Sequence, residues 1–225
     1  MTLTAVVFDL DGTLIDSRPD IATAANRMRA ELGLASLALD EVGRMMGEGS
    51  RNLVRRALAP GWPAMAAMDA DRFERSHTRF LEHYAAVCTA ETRAYEGVPE
   101  LLEACGSRWP LALLTNKPIA MTRALVEALD WGRFFRVVIG GDSLPYRKPD
   151  GRGLLAVAAA LESAPATTLL VGDSRIDAET ARAAGTQFVW AEWGYAVAAD
   201  RPGLAAGDSA GSPAALAAWF AARPQ

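Results

Sequence analysis

The sequence predicts an α/β fold, in which a parallel sheet with helices on both faces carries an inserted α-helical cap. Two observations predict it. Short apolar runs alternate with helical patterns from Tyr95 to Trp190, and a long helical stretch separates an amino-terminal strand from that series. Such alternation is typical of a Rossmann-like, doubly wound sheet, whose ligands bind at the carboxyl ends of the strands. We therefore expect an α/β core at 1–17 and 92–225 and a cap at 18–91.

The first predicted strand runs from Leu3 to Phe8, an apolar segment that is rich in β-branched residues and ends before Gly12. Asp9 and Asp11 follow it, and their spacing of two lets both carboxylates begin on one side of the chain. Burying unpaired carboxylates is costly, and a divalent metal ion is the obvious remedy. An ordinary Asp/Gly turn is the alternative reading of the same residues.

The stretch between Ser17 and Cys88 is helical in pattern and contains no persuasive strand. The expected helices run from about Ile21 to Gly33, Asp40 to Met46, Ser50 to Leu58 and Asp69 to Val87. Ser50 is expected to cap the third helix and Pro60-Gly61 to end it. A helical bundle inserted directly after an acidic loop is well placed to cover that loop, so we interpret it as a lid.

The remainder of the chain predicts the core, beginning with Tyr95. The expected helices are Val98 to Cys105, Met121 to Leu129, Gly153 to Leu161 and Ile176 to Ala184, and the expected strands are Leu111 to Leu114, Val137 to Ile139, Thr168 to Val171 and Phe188 to Trp190. Pro213 to Ala221 predicts a final helix, and whether a strand precedes it stays open.

Polar residues follow several of these strands. Thr115 and Asn116 lie beside a helix amino terminus, where free N–H groups favour anions, although a simple helix cap would look the same. Lys148 could set an ammonium against phosphate and carboxylates, whereas most loop lysines are merely solvated. Asp173 and Asp177 are four residues apart, so a helix starting there would align them either to stabilise its own amino terminus or to share Mg²⁺.

Composition limits the function further. The chain has 225 residues, 51% of them hydrophobic, and a formal charge of −4 with no basic stripe, which argues against a nucleic-acid partner and for a small ligand. Cys88 and Cys105 lack metal-ligand spacing and predict reduced thiols and a cytoplasmic location. No window approaches ~20 uninterrupted apolar residues, so we expect no membrane segment. His77 and His83, six residues apart, are interpreted as structural or solvated, and the sequence does not distinguish a monomer from a homodimer.

The run Asp9-Leu10-Asp11-Gly12-Thr13-Leu14 resembles the first signature of the haloacid dehalogenase-like phosphatases. Thr115, Lys148 and the acidic pair follow in that family's order, and the helical insertion matches its subclass with an α-helical cap. The closest likeness is to phosphoglycolate phosphatases, through Asp16-Ser17, Gly47-Glu48-Gly49, Thr115-Asn116-Lys117-Pro118, Val138-Ile139-Gly140-Gly141-Asp142 and Val171-Gly172-Asp173-Ser174-Arg175. The chain departs from the family where it reads Lys148-Pro149-Asp150-Gly151 in place of the usual Lys-Pro-x-Pro, and at Ile176, where asparagine is common.

The resemblance implies a two-step phosphoryl transfer. Asp9 would attack phosphorus and form an aspartyl-phosphate, while Asp11 would protonate the leaving group and then activate water. Mg²⁺ would be held by Asp9, the carbonyl of Asp11, Asp173 and Asp177, the last directly or through water. The remaining groups expected to contact the phosphate are Thr115, Asn116 and Lys148.

The resemblance also points to a small phosphorylated metabolite, most simply 2-phosphoglycolate. Thr13, the Gly47-Glu48-Gly49 turn and the nearby Arg51 are expected to contact the substrate, with Arg51 and the helix amino terminus meeting its carboxylate. A tight turn with a surface arginine explains Gly47 to Arg51 equally well.

The sequence leaves rival interpretations open. A sugar phosphate such as N-acetylmuramic acid 6-phosphate is another possible substrate, and a hexose-phosphate mutase would use the same nucleophile. A dehalogenase is disfavoured, because its chemistry does not require Asp11. A catalytically silent metal- or ligand-binding module is expected to lack one of the acids, yet Asp9, Asp11, Lys148 and Asp173 are all present.

Overall fold

The computed structural model describes residues 3–59, 69–195 and 209–223. In chain order its elements are β1 (Ala5–Phe8), β2 (Ile15–Asp16), α1 (Arg18–Glu31), α2 (Leu39–Gly43), α3 (Ser50–Leu58), α4 (Ala70–Val87), β3 (Arg93–Ala94), α5 (Val98–Gly106), β4 (Leu111–Leu114), α6 (Ile119–Ala128), β5 (Phe135–Ile139), α7 (Arg152–Ala160), β6 (Thr168–Gly172), α8 (Arg175–Ala184), β7 (Gln187–Ala191), β8 (Ser209–Ala210) and α9 (Pro213–Ala221). A short 3₁₀ turn, Pro165–Thr167, precedes β6.

The core sheet has six strands in the order β5-β4-β1-β6-β7-β8, and each adjacent pair is parallel. Strand β1 lies between β4 and β6, so that Phe8 pairs with Leu113 on one side and Val171 on the other. This arrangement places the carboxyl ends of three strands next to each other. It confirms the predicted doubly wound sheet.

Both faces of the sheet are covered, because side chains of β1 alternate between two apolar clusters. Val6 and Phe8 contribute to a cluster that includes residues of α5 and α9, such as Leu101 and Phe220. Ala5 and Val7 belong to a second cluster, which contains residues of α7 and α8. A strand buried on both faces explains why the sequence of β1 is uniformly apolar.

The helices α1 to α4 form the cap and enclose an apolar cluster of their own. Ile21, Met28, Val54 and Phe80 belong to this cluster, and Met121 of α6 joins them from the core. The cap therefore packs against the core through α6. The limits predicted for the cap, 18–91, stay a prediction.

The connection between cap and core contains a feature that the sequence did not predict. Strands β2 and β3 pair antiparallel, Ile15 with Ala94 and Asp16 with Arg93, and form a two-residue ribbon where the chain leaves and re-enters the core. Strands this short carry no periodic signal. A strand before the last helix, which the sequence leaves open, is present as β8.

Two details of the cap differ from expectation or lie outside the structure's described ranges. Ser50 is the first residue of α3 rather than its cap; Gly49, at φ +85°, is the N-cap, and the Ser50 hydroxyl lies 2.9 Å from His77 Nε2. Pro60-Gly61, expected to end α3, falls outside the described residues. The other cap histidine, His83, lies 2.8 Å from Glu31 Oε1.

Among the described residues, no helix is both long and apolar enough to cross a lipid bilayer.

Candidate active site

The site lies where β1, β4 and β6 end. Asp9 follows β1, Thr115 follows β4 and Asp173 follows β6, as the sequence predicted. Because these strands are neighbours in one parallel sheet, the loops after them meet at a single edge. The fold thus gathers side chains that are up to 164 positions apart in the chain.

Three carboxylates meet at this edge. Asp9, Asp173 and Asp177 are buried, and each offers an oxygen within 4.8 Å of those of the others. Lys148 is buried among them, with its Nζ 2.6 Å from Asp177 Oδ1 and 2.8 Å from Asp9 Oδ1. The structure therefore brings together three of the predicted metal ligands and the predicted lysine.

The charges of this cluster do not balance. Burial raises the pKa of Asp9 to about 6, against the opposing effect of Lys148. Burial and the neighbouring Asp177 and Asp9 also raise the pKa of Asp173. Burial alone would lower the pKa of Lys148, but Asp177 and Asp9 raise it, so the ammonium stays charged. Three carboxylates and one ammonium leave a net negative charge, which fits a hard divalent cation with oxygen ligands.

Asp11 makes its contacts apart from the acidic cluster. Its Oδ1 accepts hydrogen bonds from Ser17 Oγ at 2.5 Å and from Lys117 Nζ at 2.6 Å. It is also more exposed than Asp9, with 16% of its side chain accessible against 11%. Its carboxylate thus has partners of its own, as an acid/base group distinct from the metal ligands would have.

Asp173 is fixed by hydrogen bonds from two loops. Thr13 Oγ1 donates to Oδ1 at 3.2 Å and the backbone N–H of Tyr195 donates to Oδ2 at 2.8 Å. Gly12, at φ +85°, leaves room for this carboxylate, because a Cβ there would lie 2.2 Å from Asp173 Oδ2. Thr13 is predicted to contact the substrate; in the structure its hydroxyl is engaged with Asp173.

Asp177 lies in the first turn of α8, while Asp173 precedes that helix. Ser174 is the N-cap, and Asp177 completes a capping box by accepting from the N–H and hydroxyl of Ser174 at 3.1 and 2.5 Å. The pair is therefore not aligned along one helical face. Its carboxylates converge because β6 delivers Asp173 and the capping box turns Asp177 back towards it.

Asn116 connects its own loop to two others through side-chain hydrogen bonds. Its Nδ2 donates to the carbonyls of Gly47 in the cap and Lys148 in the core, both at 3.0 Å. Both amide hydrogens are thereby engaged, so the predicted contact with phosphate would have to come from its backbone N–H. Thr115 is buried, and its Oγ1 accepts from the N–H of Lys117 at 3.3 Å.

A cavity of about 50 Å³ separates the core loops from the cap. Its lining residues are Asp9, Asp11, Ile21, Met46, Gly47, Gly49, Ser50, Leu53, Phe80, Tyr84, Thr115, Asn116, Lys117 and Pro118. Of the residues predicted to meet the substrate from the cap, Gly47 and Gly49 line this space.

Arg51 and Glu48 do not line the cavity. The Arg51 guanidinium is ion-paired with Glu74 and lies 4.8 Å from the centre of the Phe73 ring. Glu48 Oε1 is 2.5 Å from Arg56 Nη2. The structure thus brings neither side chain to the space above Asp9.

Several groups at the site escaped prediction. Lys117 and Ser17, which contact Asp11, have no role predicted from the sequence, although both lie within strings that resemble the family. Tyr195 follows β7 in a stretch without pattern, and its hydroxyl accepts from the N–H of Ser17 at 2.9 Å. Tyr84 falls within the helix predicted from Asp69 to Val87 with no role of its own, yet it lines the cavity.

The chain is similar to known proteins over most of its length. The family model for haloacid dehalogenase-like hydrolases matches residues 6–191. A phosphoglycolate phosphatase of Nitrosospira multiformis is 41% identical over 199 residues, covering 87% of this chain and 86% of that protein. One of Pseudomonas putida is 43% identical over 196 residues, covering 84% of this chain and 70% of that protein.

Solved structures give the same result for the fold. The crystal structure of a "predicted phosphoglycolate phosphatase" from Haemophilus somnus has a TM-score of 0.81 and 30% identity, covering 90% of this chain and 92% of that one. A Lactobacillus plantarum protein has a TM-score of 0.83 at 24% identity, with 98% and 100% covered, and supports the fold alone. The fold described above therefore occurs in proteins of known structure.

Proposed function

Since this chain belongs to the haloacid dehalogenase-like hydrolase family and is a phosphomonoester hydrolase, we propose that it hydrolyses 2-phosphoglycolate to glycolate and phosphate with the help of Mg²⁺. One observation carries the proposal. The buried carboxylates of Asp9, Asp173 and Asp177 lie together with the Lys148 ammonium, next to a small cavity between core and cap. The names of the relatives from Nitrosospira and Pseudomonas support the choice of substrate.

Asp9 is the proposed nucleophile. One of its oxygens would attack phosphorus, the bond to the leaving oxygen would break, and an aspartyl-phosphate would form on Asp9. Asp9 lines the cavity and lies 2.8 Å from the Lys148 ammonium, which favours its anionic, nucleophilic state. Water would then attack phosphorus and release Asp9 and phosphate.

Asp11 is the proposed acid and base. It would give a proton to the leaving oxygen in the first step and take one from water in the second. Ser17 and Lys117 hydrogen-bond its carboxylate where it lines the cavity, which restricts the orientation of that group. Such orientation matters because proton transfer requires hydrogen-bond distance.

Asp9, Asp173 and Asp177 would hold the metal together with the main-chain carbonyl of Asp11, and Thr13 positions Asp173. A bound Mg²⁺ would supply positive charge to the phosphoryl oxygens, which an anionic nucleophile must otherwise approach against repulsion. Loss of a hydrogen bond that orients a metal ligand typically lowers metal affinity by roughly ten- to a hundredfold.

The test is a comparison of kcat/KM over small phosphate esters, with and without Mg²⁺. We expect 2-phosphoglycolate to exceed hexose phosphates and N-acetylmuramic acid 6-phosphate, and a chelator to abolish turnover until Mg²⁺ is restored. A clear preference for a hexose phosphate would show that the substrate is a hexose phosphate and not 2-phosphoglycolate. Full activity in the chelator would contradict the metal-dependent mechanism.

A further inference from the structure

The cavity between core and cap contains a cation that the proposed mechanism uses only indirectly. Lys117 is buried, with 2% of its side chain exposed, and it is the only positively charged residue among the described residues that line the cavity. An ammonium has three hydrogens to donate. The described part of the chain supplies one acceptor for them, Asp11 Oδ1 at 2.6 Å.

A second polar group faces the same space. Tyr84 of α4 lines the cavity and is 2% exposed, yet its hydroxyl makes no hydrogen bond with any described residue. Burial raises the pKa of Tyr84, against a smaller opposing effect of Ser17, so the hydroxyl keeps its proton and can donate. The Ser17 hydroxyl is close enough to oppose this rise, but its geometry does not make a hydrogen bond with Tyr84, and its own hydrogen is donated to Asp11. Lys117 Nζ lies 4.9 Å from the centre of the Tyr84 ring, so the two groups are neighbours.

A buried hydroxyl without a partner is costly unless a ligand supplies one. The Tyr84 hydroxyl and the Lys117 ammonium both have hydrogens that the described residues leave without an acceptor. Two such donors side by side in one cavity are suited to an anionic group with two oxygens.

Lys117 is placed to contact the end of a short leaving group that is remote from phosphorus. Asp11 is the group that would protonate the leaving oxygen, and Lys117 Nζ is in direct contact with it. In 2-phosphoglycolate the carboxyl carbon is two bonds from that oxygen, each about 1.5 Å long. A carboxylate so close to Asp11 can reach Lys117 with little movement of either.

The size of the cavity agrees with a short leaving group. Its volume is about 50 Å³, and one water molecule needs about 10–15 Å³ of such space. The space between core and cap is therefore small, which favours a compact leaving group such as glycolate over a hexose. Leu53 and Phe80 make part of the wall apolar, so a charged group there needs a specific partner.

We propose that Lys117 and the Tyr84 hydroxyl receive the carboxylate of the substrate, and that they make the site selective for phosphate esters of small 2-hydroxy acids. The proposal rests on the phosphatase function given above and assigns its selectivity to residues other than Arg51, which the sequence suggests. Arg51 is ion-paired with Glu74 and lies outside the cavity lining.

The experiment measures binding rather than turnover, so that effects on Asp11 chemistry do not enter. Two phosphonates that cannot be hydrolysed are titrated calorimetrically into the Mg²⁺-loaded protein. One, 3-phosphonopropionate, has the shape of 2-phosphoglycolate, and the other, propylphosphonate, lacks the carboxylate. The ratio of their affinities isolates the carboxylate contact.

We expect the parent protein to bind 3-phosphonopropionate about 10- to 100-fold more tightly than propylphosphonate, the range given by one or two charge-assisted hydrogen bonds. Lys117→Met should bring the ratio close to one, and Tyr84→Phe should lower it severalfold. Arg51→Met tests the rival contact and should leave the ratio within about twofold of the parent. Tyr84→Phe removes a single hydroxyl. If Lys117→Met does not fold, the affinity ratio of Tyr84→Phe alone tests the proposed carboxylate contact.

An unchanged ratio in both Lys117→Met and Tyr84→Phe would overturn the inference while leaving the phosphoglycolate function intact. Loss of the ratio in Arg51→Met alone would overturn it in favour of the cap arginine. If the parent protein binds both phosphonates equally well, both this inference and the choice of 2-phosphoglycolate as substrate are wrong. The proposed metal-dependent hydrolysis of phosphate esters would not be affected by that result.

Discussion

At the scale of single residues, the site is organised by a deficit of positive charge. Lys148 contacts both Asp9 and Asp177, but one ammonium cannot neutralise three buried carboxylates. In the absence of a divalent ion the remaining charge destabilises the folded state, and protonation of Asp9 relieves it. Stability and pH are therefore linked through this cluster, and the proposed metal binding would be linked to both.

The first prediction concerns this linkage. Burial raises the pKa of Asp9 from 3.8 to about 6, so the folded state binds a proton more tightly than the unfolded state does. Its favourable contribution is complete below pH 3.8 and is lost as pH rises through about 6. We expect the metal-free parent protein to lose stability relative to Asp9→Asn between these pH values.

The measurement is thermal unfolding of both proteins in a chelator, at a series of pH values that spans these two pKa values. The difference in Tm between Asp9→Asn and the parent should grow with pH and then level off. Because asparagine cannot ionise, the comparison removes the contribution of titrating groups far from Asp9, and what is left is the titration of Asp9 together with its effect on Asp173 and Lys148. A difference that does not change over this range would contradict the charge deficit.

Residue-scale features differ in how far the sequence predicts them. Asp9, Thr115 and Asp173 are predicted because each follows an apolar strand, and parallel strands end at one edge. Lys117 has no predicted role, since the direction of a loop side chain depends on the path of the loop. Arg51 is predicted to contact the substrate because it is close to Gly49 in sequence, but its guanidinium does not line the cavity.

At the scale of elements, the loop after β1 depends on a close approach that only glycine permits. Gly12 has φ +85°, and a Cβ there would meet all three carboxylate atoms of Asp173 within 2.8 Å. Gly12→Ala should therefore displace Asp173 and lower the Mg²⁺ affinity at least about tenfold, as loss of the contacts that orient a metal ligand does elsewhere. Calorimetric titration of Mg²⁺ measures this.

Gly33→Ala is the matched control for that substitution. Gly33 also has a positive φ, +68°, but no atom lies within 4 Å of the position of its Cβ. It should cost about 1–2 kcal/mol of stability through backbone strain and leave the Mg²⁺ affinity unchanged. Equal effects of both substitutions on Mg²⁺ binding would mean that general destabilisation, and not contact with Asp173, is responsible.

A second element-scale prediction concerns the attachment of the cap. Asp20 of α1 is buried, and its carboxylate accepts hydrogen bonds from Glu91 N, Thr92 N and Thr92 Oγ1 at 2.7–3.1 Å. Asp20→Ala leaves these donors without a partner and should cost about 2–3 kcal/mol in urea unfolding.

The control for this substitution is Asp40→Ala. Asp40 is exposed in the first turn of α2, where its removal should cost less than about 1 kcal/mol. Similar losses in the two variants would show that the contact between α1 and residues 91–92 contributes little. No local pattern predicts this contact, because it joins residues up to 72 positions apart.

At the scale of the whole molecule, function depends on two bodies meeting over one edge of a sheet. The core provides Asp9 with the other proposed metal ligands, the cap provides Tyr84 and the Gly47 carbonyl that accepts from Asn116, and Met121 of α6 joins the apolar cluster of the cap. The alternation of strands and helices predicts this division. The fit between the two bodies could not be predicted, because it depends on side chains from distant elements.

The most direct test of the account is to locate the phosphoryl group during turnover. The protein is mixed with 2-phosphoglycolate and Mg²⁺, quenched in acid within one turnover, reduced with borohydride to convert any acyl phosphate to a stable alcohol, and mapped by mass spectrometry. The account predicts that Asp9 is converted to homoserine, with no reduction in Asp9→Asn or in a chelator. Reduction at another carboxylate, or undiminished turnover by Asp9→Asn, would contradict it.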